Sequence, residues 1–562
     1  MADEHTPHSS QNQCVTVTQQ TDASAAVLTR ASVLDVANFV RSNLIVASGT
    51  AFSRATGLLR VIVLAYVIGQ NALSDAYKLA NETPNIVYDL IIGGVLSATL
   101  VPVFTSLLAR EARTDEDERG FHAVISAALI ASAVLAAIAV ALAPAIFRLY
   151  SLNTASDIDA DTFRTVGTML TRLFVIQVLF YGVTGVMTAV LHASRRFLAA
   201  AWAPVASNVV IIATLLALPG AGSTTWELAD VTTNSRLYLT LALGATGGIA
   251  LMAVITTAAA LRGPTPLRWH VDLRHPAVRR VAKMSGWTLG FVIANQVALV
   301  VIRNLADPGS SLASAYFDAF IFFVLPHGLL AVSIATTLQP ELAQAVTQEQ
   351  PERFTSLLSG GIRAIVALTA PASAGLIVIG PIAITSLMQR GQFNALSATN
   401  TGDALVGLAV GLTGFSVYLF TLRGFYAHGD TKTPFMLNVF ENSLNVIFAI
   451  AFVGPFGVFG LGLSLGVAYL ISALISIWVL RRRYSQDLSI SALSRETIVI
   501  GLSAAVAGTC VWGLVSAIDA HLWTGISGIL GSVAMSAVLL VIYVGCTLIC
   551  RVDLRSLRTL TH

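Results

Sequence analysis

Charge is scarce in this chain. Asp, Glu, Lys and Arg together make up 11% of its 562 residues, less than half of the roughly 25% that a soluble domain carries, which excludes an ordinary water-soluble globule. Cysteine is scarcer still: Cys14, Cys510, Cys546 and Cys550 are too few for a disulfide framework and match no zinc spacing. Cys546 and Cys550 share one helix face and read as small packing residues rather than metal ligands. A net charge of +3 gives no reason to expect nucleic acid as a partner. The chain contains no GxxxxGK(S/T), HExxH or GxSxG pattern, so neither a nucleotide site nor a hydrolase constellation is expected, and the protein is not read as an enzyme. No charged-then-apolar start with a small-residue cleavage site is present, so no cleaved signal is expected.

What the chain has is apolar length. Hydrophobic residues make up 55%, mean hydropathy is +0.76, and many runs approach the roughly 20 residues that cross a bilayer as a helix. The sequence predicts an all-α polytopic membrane protein of about 14 transmembrane helices, at 43–68, 80–107, 122–147, 165–190, 199–218, 237–261, 284–304, 313–340, 360–388, 402–421, 434–453, 457–480, 496–517 and 524–549. Around these lie a disordered tail (1–42), a basic loop (262–283) and a short C-terminus (550–562). Counting Lys and Arg in alternate loops gives 24 of the 33 on the side of both termini and 6 on the other, so both termini are expected in the cytoplasm. The remaining three, Arg54, Arg60 and Arg172, fall inside predicted spans.

The chain also matches itself weakly at an offset near 237 residues: Ser48-Gly49 on Ser285-Gly286, Ala98 to Pro102 on Thr336 to Pro340, and Asn208-Val209-Val210 on Asn445-Val446-Ile447. That offset carries helix 1 onto helix 7. It predicts two six-helix lobes, 43–261 and 284–480, related as parallel repeats, plus two C-terminal helices within 481–549. Such lobes with a site between them suit alternating access.

Charges inside spans mark the candidate chemistry, because an arginine at mid-bilayer costs about 2.5–3.5 kcal/mol on insertion scales. Helix 1 carries Ser53, Arg54 and Arg60; Ser53 and Arg60 are nearly aligned, roughly 10 Å apart along the axis. Guanidinium forks bind phosphate oxygens in pairs, so this face reads as an anion-binding wall; the alternative is that Arg54 reaches a head group or pairs with an acid of helix 2. Asp75, Glu82 and Asp89 either neutralise those arginines or carry a proton or cation. In the second lobe Asn438, Glu441, Asn442 and Asn445 share a helix face. They form a candidate Na⁺ or H⁺ site, with Asp318 as the nearest candidate partner, or else hydrogen-bond glue between helices. His327 reads as a packed core histidine. The loop 262–283, with six cations, Trp269, His270 and His275, is either a landing patch for acidic head groups or an orientation signal lying on anionic membrane lipids.

Several motifs resemble one known family. Phe52-Ser53-Arg54, Gly57 and Arg60, then Ser74-Asp75-Ala76-Tyr77, Pro84-Asn85 and Val101-Pro102, are followed in order by Leu191-His192-Ala193-Ser194-Arg195-Arg196-Phe197, Leu325-Pro326-His327-Gly328, Arg390-Gly391-Gln392-Phe393 and Arg423-Gly424-Phe425-Tyr426-Ala427-His428-Gly429-Asp430-Thr431-Lys432-Thr433-Pro434. This series resembles MurJ/MviN proteins, the lipid II flippases of peptidoglycan synthesis within the multidrug/oligosaccharidyl-lipid/polysaccharide exporter superfamily. The resemblance implies a fourteen-helix transporter of the bacterial inner membrane whose lobes enclose a cationic cavity lined by Ser53, Arg54 and Arg60. It implies Asp75 as a functional acid, helices 13 and 14 as a groove for the lipid tail, and lipid II as substrate, with peptidoglycan-synthesis and division proteins as partners. This chain departs from the pattern where many members carry cavity arginines: Tyr88 and Ile321 stand there, leaving Arg303 and Arg172 as cations that would compensate. These departures resemble actinobacterial members, here read as one without their kinase-like domain. The rival readings are an exporter of another polyprenyl-linked glycan or an amphipathic drug, and a non-transporting cell-wall or division scaffold.

Overall fold

A computed structural model describes residues 45–46, 48–89, 100–108, 114–263, 266–484, 489–519 and 523–550. The expected N-terminal tail and C-terminus, and Gly93-Gly94, lie outside them. So do the side chains of Tyr88 and Asp89. The described chain is helical. An N-lobe comprises α1 (Ser48–Ile68), α2 (Ala72–Asp89), α3 (Val101–Leu108), α4 (Asp115–Tyr150), α5 (Ala160–Phe174), α6 (Gln177–Ala193), α7 (Phe197–Leu216), α8 (Leu228–Thr233) and α9 (Ser235–Leu261). A C-lobe comprises α10 (Pro276–Leu305), α11 (Leu312–Pro326), a π turn (His327–Ala331), α12 (Val332–Thr347), α13 (Pro351–Val378), α14 (Gly380–Met388), α15 (Ala395–Ala409), α16 (Leu412–Ala427) and α17 (Lys432–Tyr484). Then come α18 (Ile490–Ala517) and α19 (Gly525–Ile549).

Each predicted span falls on helix in whole or part. Among the described residues, ten helices are long and apolar enough to cross a membrane, or eleven if α15 and α16, bent by 49°, form one span. That number treats α17 as a single helix. Its ends meet, with Arg483 Nη1 3.2 Å from Asp430 Oδ2, so the chain reverses at Gly457, whose φ of 56° and ψ of −136° suit glycine alone. The predicted helices at 434–453 and 457–480 are thus the two arms of one hairpin.

Apolar side chains pack the halves separately and then join them. Phe147, Phe163, Phe174 and Leu241 lie in one N-lobe cluster, and Leu358, Phe420, Val511 and Tyr543 lie in a C-lobe cluster that takes in α18 and α19. Helix α10 belongs to both: Val278 and Val281 pack against Phe104 and Phe121, whereas Ile302 packs with Phe323 and Leu405. Val61 and Ala65 of α1 lie in that same C-lobe cluster, so α1 is shared between the lobes along its length.

Candidate functional site

Helix α1 is anchored on the N-lobe by Asn208 of α7, whose Nδ2 donates to the Ser53 carbonyl (3.3 Å) and to Thr56 Oγ1 (3.0 Å). Gly49 brings the two helices into backbone contact, with no room for a Cβ against Ala201. This fixes the rotation of α1 and with it the directions of Arg54 and Arg60. Both arginines are half-buried, and among the described residues neither has a carboxylate within ion-pair distance. Arg54 lies against Gly328 of the π turn, where an added Cβ would require its guanidinium to shift; its Nε is buried without a partner among the described residues.

Arg60 lines a cleft of about 120 Å³ between the lobes, together with Lys78, Asn81 and Asn85 of α2 and Asp318 and Ile321 of α11. Ile321, where the resemblance expects an arginine, is therefore on the cleft wall. Arg303 does not line this cleft: it is buried at the end of α10, its Cζ 3.3 Å from the Phe317 ring centroid and Nη2 3.7 Å from Glu82 Oε1. Arg172 lies beside Tyr238 of α9, also off the cleft.

One end of the bundle is tied across the lobes by the loops that carry few cations. Asp75 is fully buried. Its Oδ2 accepts from the backbone N–H groups of Gly309 (2.9 Å) and Ser311 (3.1 Å), and its Oδ1 from that of Ser314 (2.8 Å). Ser311, the N-cap residue just before α11, makes no side-chain cap of its own, so Asp75 supplies the missing cap from the other lobe. Lys78 Nζ is 2.7 Å from Asp318 Oδ1, and Gln70 Nε2 donates to Asp318 Oδ2 (2.9 Å). Nearby, the Gln392 N–H donates to the Tyr66 carbonyl (3.0 Å), Ala155 N–H to Pro308 O (3.0 Å), and Leu152 N–H to Asn304 Oδ1 (2.7 Å). The expectation that Lys78 belongs to a loop is corrected: α2 starts at Ala72, eight residues before the predicted start, because Asn71 and Ser74 cap each other's backbone amides (3.0 Å each).

The C-lobe group assembles around a residue that sequence reasoning missed. Asn295 of α10 accepts through Oδ1 from Asn438 Nδ2 (2.9 Å) and Asn442 Nδ2 (2.8 Å), and Ser464 Oγ donates to Asn445 Oδ1 (3.0 Å). Glu441 Oε1, Asn438 Oδ1 and the Tyr418 hydroxyl are buried there without partners among the described residues. Asp318, expected as partner of Glu441, is bonded to Lys78 and Gln70 instead. His327 is a packed histidine, 3.0 Å from Ser416 Oγ and against the Phe415 ring. In the basic loop, the N–H groups of Arg268 and His270 bond to His122 and Ser126 of α4, which turns Trp269, Val271 and Leu273 outward.

A protein of Burkholderia cenocepacia named "Lipid II flippase MurJ" is 28% identical to this chain over 515 residues, covering 90% of this chain and 95% of that protein. One of Rhizobium tropici, named "Probable lipid II flippase MurJ", is 24% identical over 523 residues, covering 90% and 94%. Among solved structures, "Lipid II flippase MurJ, inward closed conformation" superposes with a TM-score of 0.72 at 19% identity over 91% of this chain and 99% of that one. An inward-facing multidrug transporter of the MATE family follows at 0.62 and 15%, over 78% and 96%; these likenesses give the fold. The model of the family described as "Lipid II flippase MurJ" matches residues 64–533, a stretch that takes in both lobes, and the chain belongs to that family.

Proposed function

We propose that this multi-pass membrane protein moves lipid II, the undecaprenyl-pyrophosphate-linked peptidoglycan precursor, from the inner to the outer leaflet by alternating access of its two lobes. The observation that carries this reading is a pair of arginines on α1, Arg54 and Arg60, at the interface of the lobes and without a carboxylate partner among the described residues. A cation with no counter-ion in a low-dielectric wall is costly unless an anion visits it, and a pyrophosphate is the anion such forks recognise. Ser53 would add a hydroxyl to this face, and Asp75 would serve the carrier by holding α2 to α11.

With the cation-poor end outside and both termini cytoplasmic, the ties of Asp75 and Lys78 would close the outer end. Rocking the lobes, read as parallel repeats, would then open that end, while α18 and α19 hold the lipid tail along the C-lobe. Moving one net negative charge outward is favoured by about 2.3 kcal per mol for each 100 mV of inside-negative potential, so the membrane potential can give direction. The group of Asn438, Glu441, Asn442 and Asn445 is the candidate site through which Na⁺ or H⁺ would add to it. Proteins of peptidoglycan synthesis and division are its expected neighbours.

Complementation tests the proposal. In a bacterium depleted of its own flippase, this chain restores growth and the Arg54→Ala/Arg60→Ala variant, present at equal level in the membrane, does not. Growth restored equally by both would leave a scaffold role as the better account, and no restoration by either would favour export of a different glycan or of drugs.

A further inference from the structure

We infer that Lys78 is a second anion-binding residue of the cleft, which exchanges Asp318 for the substrate's pyrophosphate, so that loading the carrier breaks one of the ties that close the cation-poor end. The inference rests on the reading of Arg60 as a pyrophosphate ligand and goes beyond it. Lys78 and Arg60 line the same cleft, so an anion drawn to the guanidinium comes within the field of the ammonium. Lys78 is a flexible point charge with three rotatable donors, held by one short contact to Asp318 Oδ1 (2.7 Å) and a longer one to the Ser314 carbonyl (3.4 Å). A diphosphate offers it more charge and more acceptor oxygens than one carboxylate does.

The exchange takes the cation from Asp318 Oδ1 but leaves its other oxygen paired. Asp318 keeps the Gln70 amide at 2.9 Å, and Gln70 Nε2 is itself 2.8 Å from Thr401 Oγ1. Asn85 gives its Oδ1 to the Tyr181 hydroxyl (3.0 Å) and keeps its amide hydrogens for the cleft. The other acid on the wall, Glu82, faces Arg303 at 3.7 Å. Lys78 thereby supplies the cation that Ile321, on the opposite wall, does not.

The consequence is coupling. Lys78 belongs to the N-lobe and Asp318 to the C-lobe, so an empty carrier is tied at this point and a loaded one is not. A ligand that replaces an inter-lobe bond shifts the lobe equilibrium by its differential affinity for the two states.

Purified protein in nanodiscs, titrated with undecaprenyl pyrophosphate and separately with inorganic pyrophosphate, tests this. Lys78→Gln is expected to weaken both by about 10- to 100-fold, the range for one charge-assisted hydrogen bond. Lys78→Arg should retain binding, and Asp318→Asn should tighten it by releasing the ammonium. The Lys78→Gln/Asp318→Asn double variant, which buries no unpaired charge, should bind as weakly as Lys78→Gln. Spin labels at Ser223→Cys and Leu396→Cys should move apart on adding undecaprenyl pyrophosphate to the otherwise unaltered protein, whereas in Lys78→Gln, where this tie is already absent, the ligand should cause no further separation. Wild-type affinity in Lys78→Gln or in the double variant, Asp318→Asn weakening binding, or an effect confined to the lipid and absent with pyrophosphate, would each overturn the inference. Arg60→Ala separates the two levels: if it binds as tightly as the unaltered protein while Lys78→Gln does not, the arginine reading fails and the lysine assignment stands.

Discussion

Removing the Asp75 carboxylate should loosen the closed end of the bundle without unfolding either lobe. Three backbone N–H groups, from Gly309, Ser311 and Ser314, donate to it at 2.8–3.1 Å, and all three belong to the segment that begins α11. Hydrogen bonds to a charged acceptor contribute about 1.5–3 kcal/mol each, less than additively when they share one acceptor. Opening also returns the carboxylate to water, which offsets part of the loss. The net effect of Asp75→Ala on the equilibrium between closed and open ends is therefore about 2–4 kcal/mol, or roughly 30- to 900-fold. Asp75→Asn keeps one acceptor oxygen and turns an NH₂ toward the remaining donors, so it recovers only part of this. The assay is a pair of spin labels at Ser223→Cys, in the loop after α7, and Leu396→Cys, in the first turn of α15, both exposed and on opposite lobes, with the native cysteines replaced. The unaltered protein should give one short distance and Asp75→Ala a second, longer population. A distance distribution unchanged by Asp75→Ala would refute the view that this carboxylate holds the lobes together.

Three other outcomes follow from particular contacts. Gly328→Val places a side chain where the Arg54 guanidinium lies and should push that flexible group aside, weakening complementation while leaving thermal unfolding nearly unchanged, with Gly328→Ala milder. Glu441→Gln should leave lipid II binding intact while abolishing the dependence of transport in proteoliposomes on an imposed Na⁺ or H⁺ gradient, and an unchanged dependence would remove Glu441 from coupling. Burial tends to raise the pKa of Asp430, but hydrogen bonds from Thr433 and Tyr484 and the charge of Arg483 outweigh it and hold the carboxyl below its usual value. Its contribution is then present above the unfolded carboxylate pKa, near 3.9, and is lost as pH falls through the lower native value. The gap in unfolding temperature between the unaltered protein and Asp430→Asn should be full at pH 6 and close below pH 4.

Residues whose oddity is local were legible in the sequence. Arg54 and Arg60 stand out because an apolar helix has no ordinary use for them, and the spans stand out because bilayer thickness sets their length. The reversal at Gly457 was visible as a gap between two apolar runs. Relationships across long stretches of chain were not. Asp75 meets Gly309 across 234 positions and Lys78 meets Asp318 across 240, and nothing in the spacing of either sequence segment names the other. Asp318 reads from the sequence as the nearest candidate partner of the Glu441 group, whereas the helix start at Ala72 brings a lysine to it from the other lobe. Asn295 was passed over because a lone amide in an apolar helix carries no signal until Asn438 and Asn442 are seen to share its oxygen. The early start of α2 hid in the reciprocal capping of Asn71 and Ser74, a pattern that reads equally well as a polar turn.

Exposure of lipid II at the outer surface of the cell tests the central claim most directly. In cells depleted of their own flippase and carrying this chain, an externally added enzyme that cleaves the lipid II head group should degrade most of the cellular pool, and in cells carrying Arg54→Ala/Arg60→Ala at equal abundance the pool should remain protected. Equal degradation in the two strains would contradict a carrier that works through the arginines of α1.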